Sequence, residues 1–209
     1  MMVHKPVTRR SFLTLLSTTG LVVGGAMILR PGGAYAQQVS ILRPRIEAAL
    51  RGITTQQGSF LQIDTNSGSG QAGQFWIQRP GKLRFEYQSR PELLVADGRH
   101  VARVNTRTGS VSRVRINATP LRVILSDEVD LTDGVTITSM EQTPDSLFIT
   151  FYETGKRDQG LLTIFLDVNT YELRGWKIDE NDGNVTTVIL QDTVSGTAID
   201  QDAFVIPAG

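Results

Sequence analysis

The chain of 209 residues contains no cysteine. That removes disulfides, thiolate nucleophiles, cysteine-based zinc sites and lipid attachment through an N-terminal cysteine. Histidine is nearly as scarce, with only His4 and His100 present. No G-x-S-x-G elbow occurs, so a serine hydrolase built on His100 has no partner motif. Asp179, Asp182 and Asp192 fall around a hairpin, but turn chemistry accounts for the first two and EF-hand spacing is missing. No enzyme, metal site or cofactor is expected. Net charge is also lacking, with 21 basic and 21 acidic residues. No repeat of 20–50 residues is found.

The neutral total hides an asymmetry. The first 36 residues hold Lys5, Arg9, Arg10 and Arg30 and no acid, leaving 17 bases against 21 acids in the remainder. A mildly acidic remainder offers no electrostatic case for nucleic acid. Thr8-Arg9-Arg10-Ser11-Phe12-Leu13 is a twin-arginine pattern ahead of an apolar run, and Ala34-Tyr35-Ala36 is a small-x-small cleavage signal. The apolar run approaches spanning length, but Gly20, Gly24 and Gly25 dilute it. The expected organisation is a twin-arginine-type signal peptide over 1–36, cleaved after Ala36, and one domain over 37–209. The expected location is a bacterial periplasm.

The spacing of Ile46, Ala49, Leu50 and Ile53 predicts a helix over 40–53, with Ser40 as its cap. From Gly58 onward the chain reads as strand after strand. Asp97-Gly98, Thr108-Gly109 and Asp182-Gly183 mark hairpin turns. The run is broken once, over 117–125. There Thr119 suits a helix cap, Pro120 the first helical position, and Leu121, Ile124 and Leu125 share a face. Later strands are predicted over 135–140, 147–152, 161–166, 171–178 and 184–190, with a last one near 203–206. The predicted fold class is mainly β (α+β). It is a strongly curved antiparallel sheet or unclosed β-barrel, lidded by the N-terminal helix and the short internal helix.

One stretch stands out: Gly73-Gln74-Phe75-Trp76-Ile77-Gln78-Arg79-Pro80-Gly81-Lys82-Leu83-Arg84-Phe85-Glu86-Tyr87. Pro80-Gly81 is strong turn punctuation. Alternation puts Phe75, Ile77 and Arg79 on one face before the turn, and Leu83, Phe85 and Tyr87 on one face after it. On alternation alone this is an ordinary half-buried hairpin with a solvated Arg79. Trp76, pointing the other way, gives one strand large apolar groups on both faces.

The stretch resembles the signature of the periplasmic outer-membrane lipoprotein carrier family (LolA), a G-x-x-W-I-x-R-P-x-x-L-R-x-x-Y pattern after an N-terminal helix. The resemblance runs from about Val39 to Pro207. It includes Gly58-Ser59-Phe60-Leu61-Gln62, Leu94-Val95-Ala96-Asp97-Gly98, Thr119-Pro120-Leu121, Trp176-Lys177-Ile178-Asp179 and Ala203-Phe204-Val205-Ile206-Pro207. It implies a periplasmic, monomeric carrier. Such a carrier takes acylated lipoproteins from an inner-membrane lipoprotein-releasing ABC transporter and passes them to an outer-membrane lipoprotein receptor. A carrier or sensor of another lipid or amphiphile on the same open barrel is the alternative.

An acyl chain of a dozen methylenes costs roughly 10 kcal/mol in water, so a soluble carrier must hide it in an apolar cavity. The expected lining is Phe60, Phe75, Ile77, Leu83, Phe85, Tyr87, Phe148 and Phe165. The expected lid helix carries Leu121, Ile124 and Leu125. The resemblance places the family's lid-latching arginine on Arg79, which would bond carbonyls of the lid. Twin-arginine export departs from the commoner family pattern, and the chain ends soon after its last strand, whereas some family members carry a C-terminal extension.

Overall fold

The computed structural model describes residues 31–66 and 68–208. Residues 1–30 of the expected signal peptide lie outside the described residues. The chain opens with helix α1 (Pro31–Gly52). Six strands follow: β1 (Thr55–Asp64), β2 (Ser69–Gln78), β3 (Lys82–Tyr87), β4 (Glu92–Asp97), β5 (His100–Asn105) and β6 (Val111–Arg115). A 3-10 turn (Ile116–Ala118) leads into helix α2 (Leu121–Leu125). Five more strands complete the sheet: β7 (Val135–Gln142), β8 (Ser146–Glu153), β9 (Leu161–Asp167), β10 (Leu173–Asp179) and β11 (Val185–Ser195).

All eleven strands form one sheet in the order β6-β5-β4-β3-β2-β1-β11-β10-β9-β8-β7, and the paired neighbours are antiparallel. Each half is a meander, and the halves join where β1 meets β11. The sheet is unclosed, with β6 and β7 as its edges. These edges are consecutive in the chain. The segment between them, carrying the 3-10 turn and α2, therefore connects one edge to the other.

Period-two alternation sorts the side chains cleanly. One face buries Phe60, Phe75, Ile77, Leu83, Phe85, Leu147, Ile149, Phe151, Leu162, Ile164, Leu166 and Trp176 in a single apolar cluster. Ile46 and Leu50 of α1 and Leu121, Ile124 and Leu125 of α2 complete that cluster, so both helices cover this inner face. The outer face carries a smaller cluster of Leu93, Val95, Ala102 and Val104, with Ile206 against it. The C-terminal segment is strapped there by Arg84 Nη1 donating to Ala203 O (2.9 Å) and Arg113 Nη2 donating to Pro207 O (2.9 Å).

Four sequence expectations need correction. Helix α1 runs through Ser40 and Pro44 and includes 34–36, so Ser40 is interior rather than a cap. The apolar stripe predicted for it is the buried one, at Ile46 and Leu50. Thr119 does not cap α2. It is extended, its Oγ1 donates to Ile116 O (2.8 Å), and Pro120 takes the cap position. The last predicted strand is a 3-10 turn, Gln201–Phe204, whose start is fixed by the Asp200 carboxylate accepting from Asp202 N–H (3.1 Å). β10 begins at Leu173 rather than at Tyr171, because Tyr171 sits in the left-handed region at φ 58° to close the preceding turn.

Two features of the sheet make specific demands. At Gly73, opposite Tyr87, a Cβ would lie 2.0 Å from Glu86 O and 2.6 Å from the Phe60 ring. Gly73→Ala therefore forces β2 away from β3 under the aromatic cluster. It should lower unfolding free energy by about 1–3 kcal/mol, read as a drop in the urea midpoint at constant slope.

At the β9–β10 turn, Asp167 accepts N–H groups from Thr170 (3.0 Å) and Asn169 (2.9 Å) and pairs with Arg174 at 3.0 Å. These bonds pull its pKa from 3.8 to about 2. A depressed carboxylate stabilises the fold above its unfolded pKa, and that stabilisation is lost as pH falls through the folded one. Stability should accordingly fall between about pH 4 and pH 2, and Asp167→Asn should remove that part of the acid limb in pH-dependent urea melts.

Candidate functional site

The opening hairpin and the edge-to-edge segment meet at one point. Arg79, Pro80 and Gly81 form the turn between β2 and β3. Gly81 holds φ at +78°, and a Cβ there would lie 2.6 Å from Gly98 Cα, so only glycine fits against the neighbouring Asp97–Gly98 turn. The turn aims its donors at the end of α2. Every helix end leaves carbonyls without intrahelical partners, and a five-residue helix is mostly ends. Gly81 N–H donates to Leu125 O at 2.8 Å. Arg79 donates both Nε (3.2 Å) and Nη2 to Ser126 O. The β2–β3 turn thus caps the C-terminus of α2, and a cation is favourable at that negative end.

Arg79 is half-buried, and its Nη1 is buried without a hydrogen-bond partner. Burial lowers its pKa, opposed by the nearby charge of Asp127. The guanidinium is thus only partly satisfied, with one orphan donor and a single carbonyl as its acceptor.

The other side of α2 is tied down as well. Arg122 reaches Glu153 on β8 (Nη2 to Oε1, 2.8 Å; Nε to Oε2, 3.2 Å), and Lys156 shares the same carboxylate at 2.8 Å. Lys156 Nζ also donates to Asn117 O at 3.2 Å. Beyond α2, Leu131 N–H donates to Glu47 Oε1 of α1 at 2.8 Å, tying the segment that follows α2 to α1. Residue spacing foretold neither contact. Their only trace in sequence is an Arg on the polar side of a short apolar helix and one acid on the polar side of α1.

Beneath this cover lies the apolar interior. Phe60, Phe75, Ile77, Leu83 and Phe85 are each at most 1% exposed and share one cluster, and Tyr87 packs against it. Phe85 is its hub, with ring centroids 4.5 Å from Phe60, 6.0 Å from Phe75 and 5.8 Å from Trp176. Tyr87 donates its hydroxyl to Gln62 Oε1 (2.7 Å) and carries Arg90 over its ring at 3.9 Å. Burial raises the Tyr87 pKa, partly offset by Arg90.

Phe148 and Phe165 need correction. They lie on the opposite face from Leu147, Ile149, Leu166 and Ile164, and pair with each other across β8 and β9 at 5.2 Å. A one-position difference in parity decides the face. Sequence reading also missed Trp176, Val129 and Leu131, which are at most 2% exposed in the inner cluster. Trp176 was legible in principle, since it shares parity with Ile178.

The sequence leads to the expectation of an apolar cavity closed by a lid when empty, and in the structure that space is filled. Leu121, Ile124 and Leu125 insert into the inner cluster and are at most 8% exposed. Vacant apolar volume forfeits dispersion contacts on all sides, and the covering helix supplies them. The interior is occupied by the cover's own side chains.

Among the described residues no group of three or more His, Asp or Glu side chains could hold a metal, and no helix is long and apolar enough to cross a membrane. The profile of the family described as outer membrane lipoprotein carrier protein LolA matches residues 51–207. The chain is 25% identical over 190 residues to the outer-membrane lipoprotein carrier protein of Methylococcus capsulatus, covering 85% of this chain and 89% of that protein. Among solved structures it is similar to a domain of Vibrio parahaemolyticus named for outer membrane lipoprotein sorting, with TM-score 0.50 and 10% identity over 81% of this chain and 97% of that one. A LolA superfamily protein of Nitrosomonas europaea matches with TM-score 0.45 and 7% identity, over 78% and 97% of the two chains. With the family profile spanning well over half its length, this chain belongs to the LolA outer membrane lipoprotein carrier family.

Proposed function

We propose that this protein, after removal of a signal peptide at Ala36, works in the periplasm as a carrier of acylated lipoproteins. It would collect them from an inner-membrane transporter and release them to an outer-membrane receptor. The observation that carries this reading is an apolar interior plugged by α2, itself held by two guanidinium bonds to one carbonyl. Cargo acyl chains would replace Leu121, Ile124 and Leu125, exchanging one apolar filling for another. Phe60, Phe75, Ile77, Leu83, Phe85 and Tyr87 would line the space so vacated. The work is binding and release, with no bond made or broken in the cargo.

Membership of the family supports a lipoprotein or lipid carrier, and the lid geometry supports a closed resting state. The direct test is mass spectrometry of protein recovered from its own periplasm. A co-purifying triacylated polypeptide is expected. A free lipid in its place would transfer the same mechanism to a different cargo, and recovery without any amphiphile would remove the reading.

Arg79 is assigned the latch. Hydrogen bonds to charged donors contribute about 1.5–3 kcal/mol, so losing them should shift the closed–open balance by roughly 10- to 150-fold. Arg79→Leu should populate the open form, retain cargo longer and slow transfer to acceptor membranes. Transfer at the parental rate would show that the bonds to Ser126 do not set release.

A further inference from the structure

Charge along this chain is segregated rather than mixed. Residues 98–126 hold six arginines and no acid, whereas 127–209 hold sixteen acids against four bases. The basic segment is β5, β6, their turn and the start of the lid, so it forms one edge of the sheet. Arg99, Arg103, Arg107, Arg113 and Arg115 are all exposed.

Internal partners account for little of this charge. Glu92 takes Arg103 at 2.9 Å and Arg90 at 3.5 Å, and Arg122 goes to Glu153. Among the described residues Arg99, Arg107, Arg113 and Arg115 form no ion pair. Arg113 gives one N–H to Pro207 O at 2.9 Å. On the outer face, cross-strand register sets Lys82 opposite Asp97 and His100 opposite Arg115, with Arg113 beside them. A shallow groove of about 760 Å³ follows that face between the edge and the C-terminal segment. Asp97 is the single acid that lines it. A neighbouring groove, lined by Arg99 and Arg122 together with Asp97 and Asp127, runs to Ser126, where Arg79 bonds the end of α2.

Arg99, Arg107, Arg113 and Arg115, unlike Arg103 and Arg122, have no carboxylate partner among the described residues, and like charges left unpaired repel one another. They match an external anion. The geometry decides which kind. The guanidiniums are spread along strands of five or six residues, about 17–20 Å, on an open edge. No enclosing pocket converges on one phosphate. Val114, 50% exposed, lies between Arg113 and Arg115 on the same edge strand with its side chain on the other face, so the edge also offers an apolar contact. A flat, repeating field of phosphates with an apolar layer behind it fits that array, and basic clusters bind such surfaces additively. The acidic half of the chain would be repelled from the same surface, so the molecule would dock in one orientation.

We propose that the β5–β6 edge is a docking surface for an anionic phospholipid membrane, and that docking brings the latched end of the lid to the bilayer. The site is distinct from the apolar interior. It is measured without cargo, so its failure and the failure of the carrier reading are separate results.

The test is co-sedimentation of the exported protein with vesicles of phosphatidylcholine containing 30% phosphatidylglycerol, against vesicles of phosphatidylcholine alone. Binding should require the anionic lipid and be lost between low salt and about 0.5 M salt. Each guanidinium near the surface contributes about fivefold, so R107Q/R115Q and, independently, R99Q/R113Q should each weaken binding by roughly 25-fold. The pair R51Q/R174Q makes the same change in net charge elsewhere and should leave binding within about twofold. Near-ultraviolet circular dichroism verifies that each variant is folded.

Equal binding to neutral vesicles, no binding to either, or equal loss from the control pair overturns the proposal. So does a result in which vesicles are ignored while the edge variants lose affinity for an acidic membrane protein, which assigns the edge to a protein partner instead.

Discussion

The structure depends on one topological constraint. The two edge strands of the open sheet, β6 and β7, are neighbours in sequence, so the chain must pass from one edge to the other in a single connection. That connection is too short to wander, and its apolar residues must be buried. It therefore supplies both a plug, Leu121, Ile124 and Leu125, and a helix end with free carbonyls. Whatever faces those carbonyls becomes the closing device. Here it is the turn that follows β2, whose Arg79 side chain and Gly81 N–H cap the last turn of α2. Glu153 and Glu47 take the other polar groups of the same connection. The lid is thus a consequence of leaving the barrel unclosed.

Much of this was legible in the chain itself. Strict alternation, turn dipeptides and the single helical interruption set the order of the eleven sheet strands and two helices, because a buried sheet face and a hairpin turn each impose short-range rules on sequence. The inner apolar residues of the opening hairpin were legible for the same reason: Phe75, Ile77, Leu83 and Phe85 keep one parity across a turn that preserves register. Phe148 and Phe165 were not, because both faces of β8 and β9 carry large apolar groups and alternation alone does not say which faces inward. The expected strand at 203–206 failed on an Asx-type cap at Asp200, a contact over two residues that outweighs β-propensity in a segment lying across the sheet rather than in it. The long-range ties were hidden altogether. Arg122 meets Glu153 and Leu131 meets Glu47 across separations of 31 and 84 residues, and nothing local marks them.

Energetics determine what kind of carrier this arrangement can be. Fully burying a Leu or Ile side chain contributes about 1.5–3 kcal/mol, so the three plug residues hold α2 with several kcal/mol of apolar burial. The polar bonds of Arg79 add a charged hydrogen bond of about 1.5–3 kcal/mol, reduced by the desolvation that its orphan Nη1 and depressed pKa report. Exchange of the plug for acyl methylenes leaves the apolar contribution nearly unchanged, since both fillings bury hydrocarbon against the same aromatic wall. On the proposed mechanism, what would change on loading is the polar remainder: the bonds to Ser126, Leu125 and Glu153. A tight latch would refuse cargo and an absent one would not let it go. In the proposed carrier, a single half-buried arginine, poorly satisfied even when closed, would place the balance between these limits.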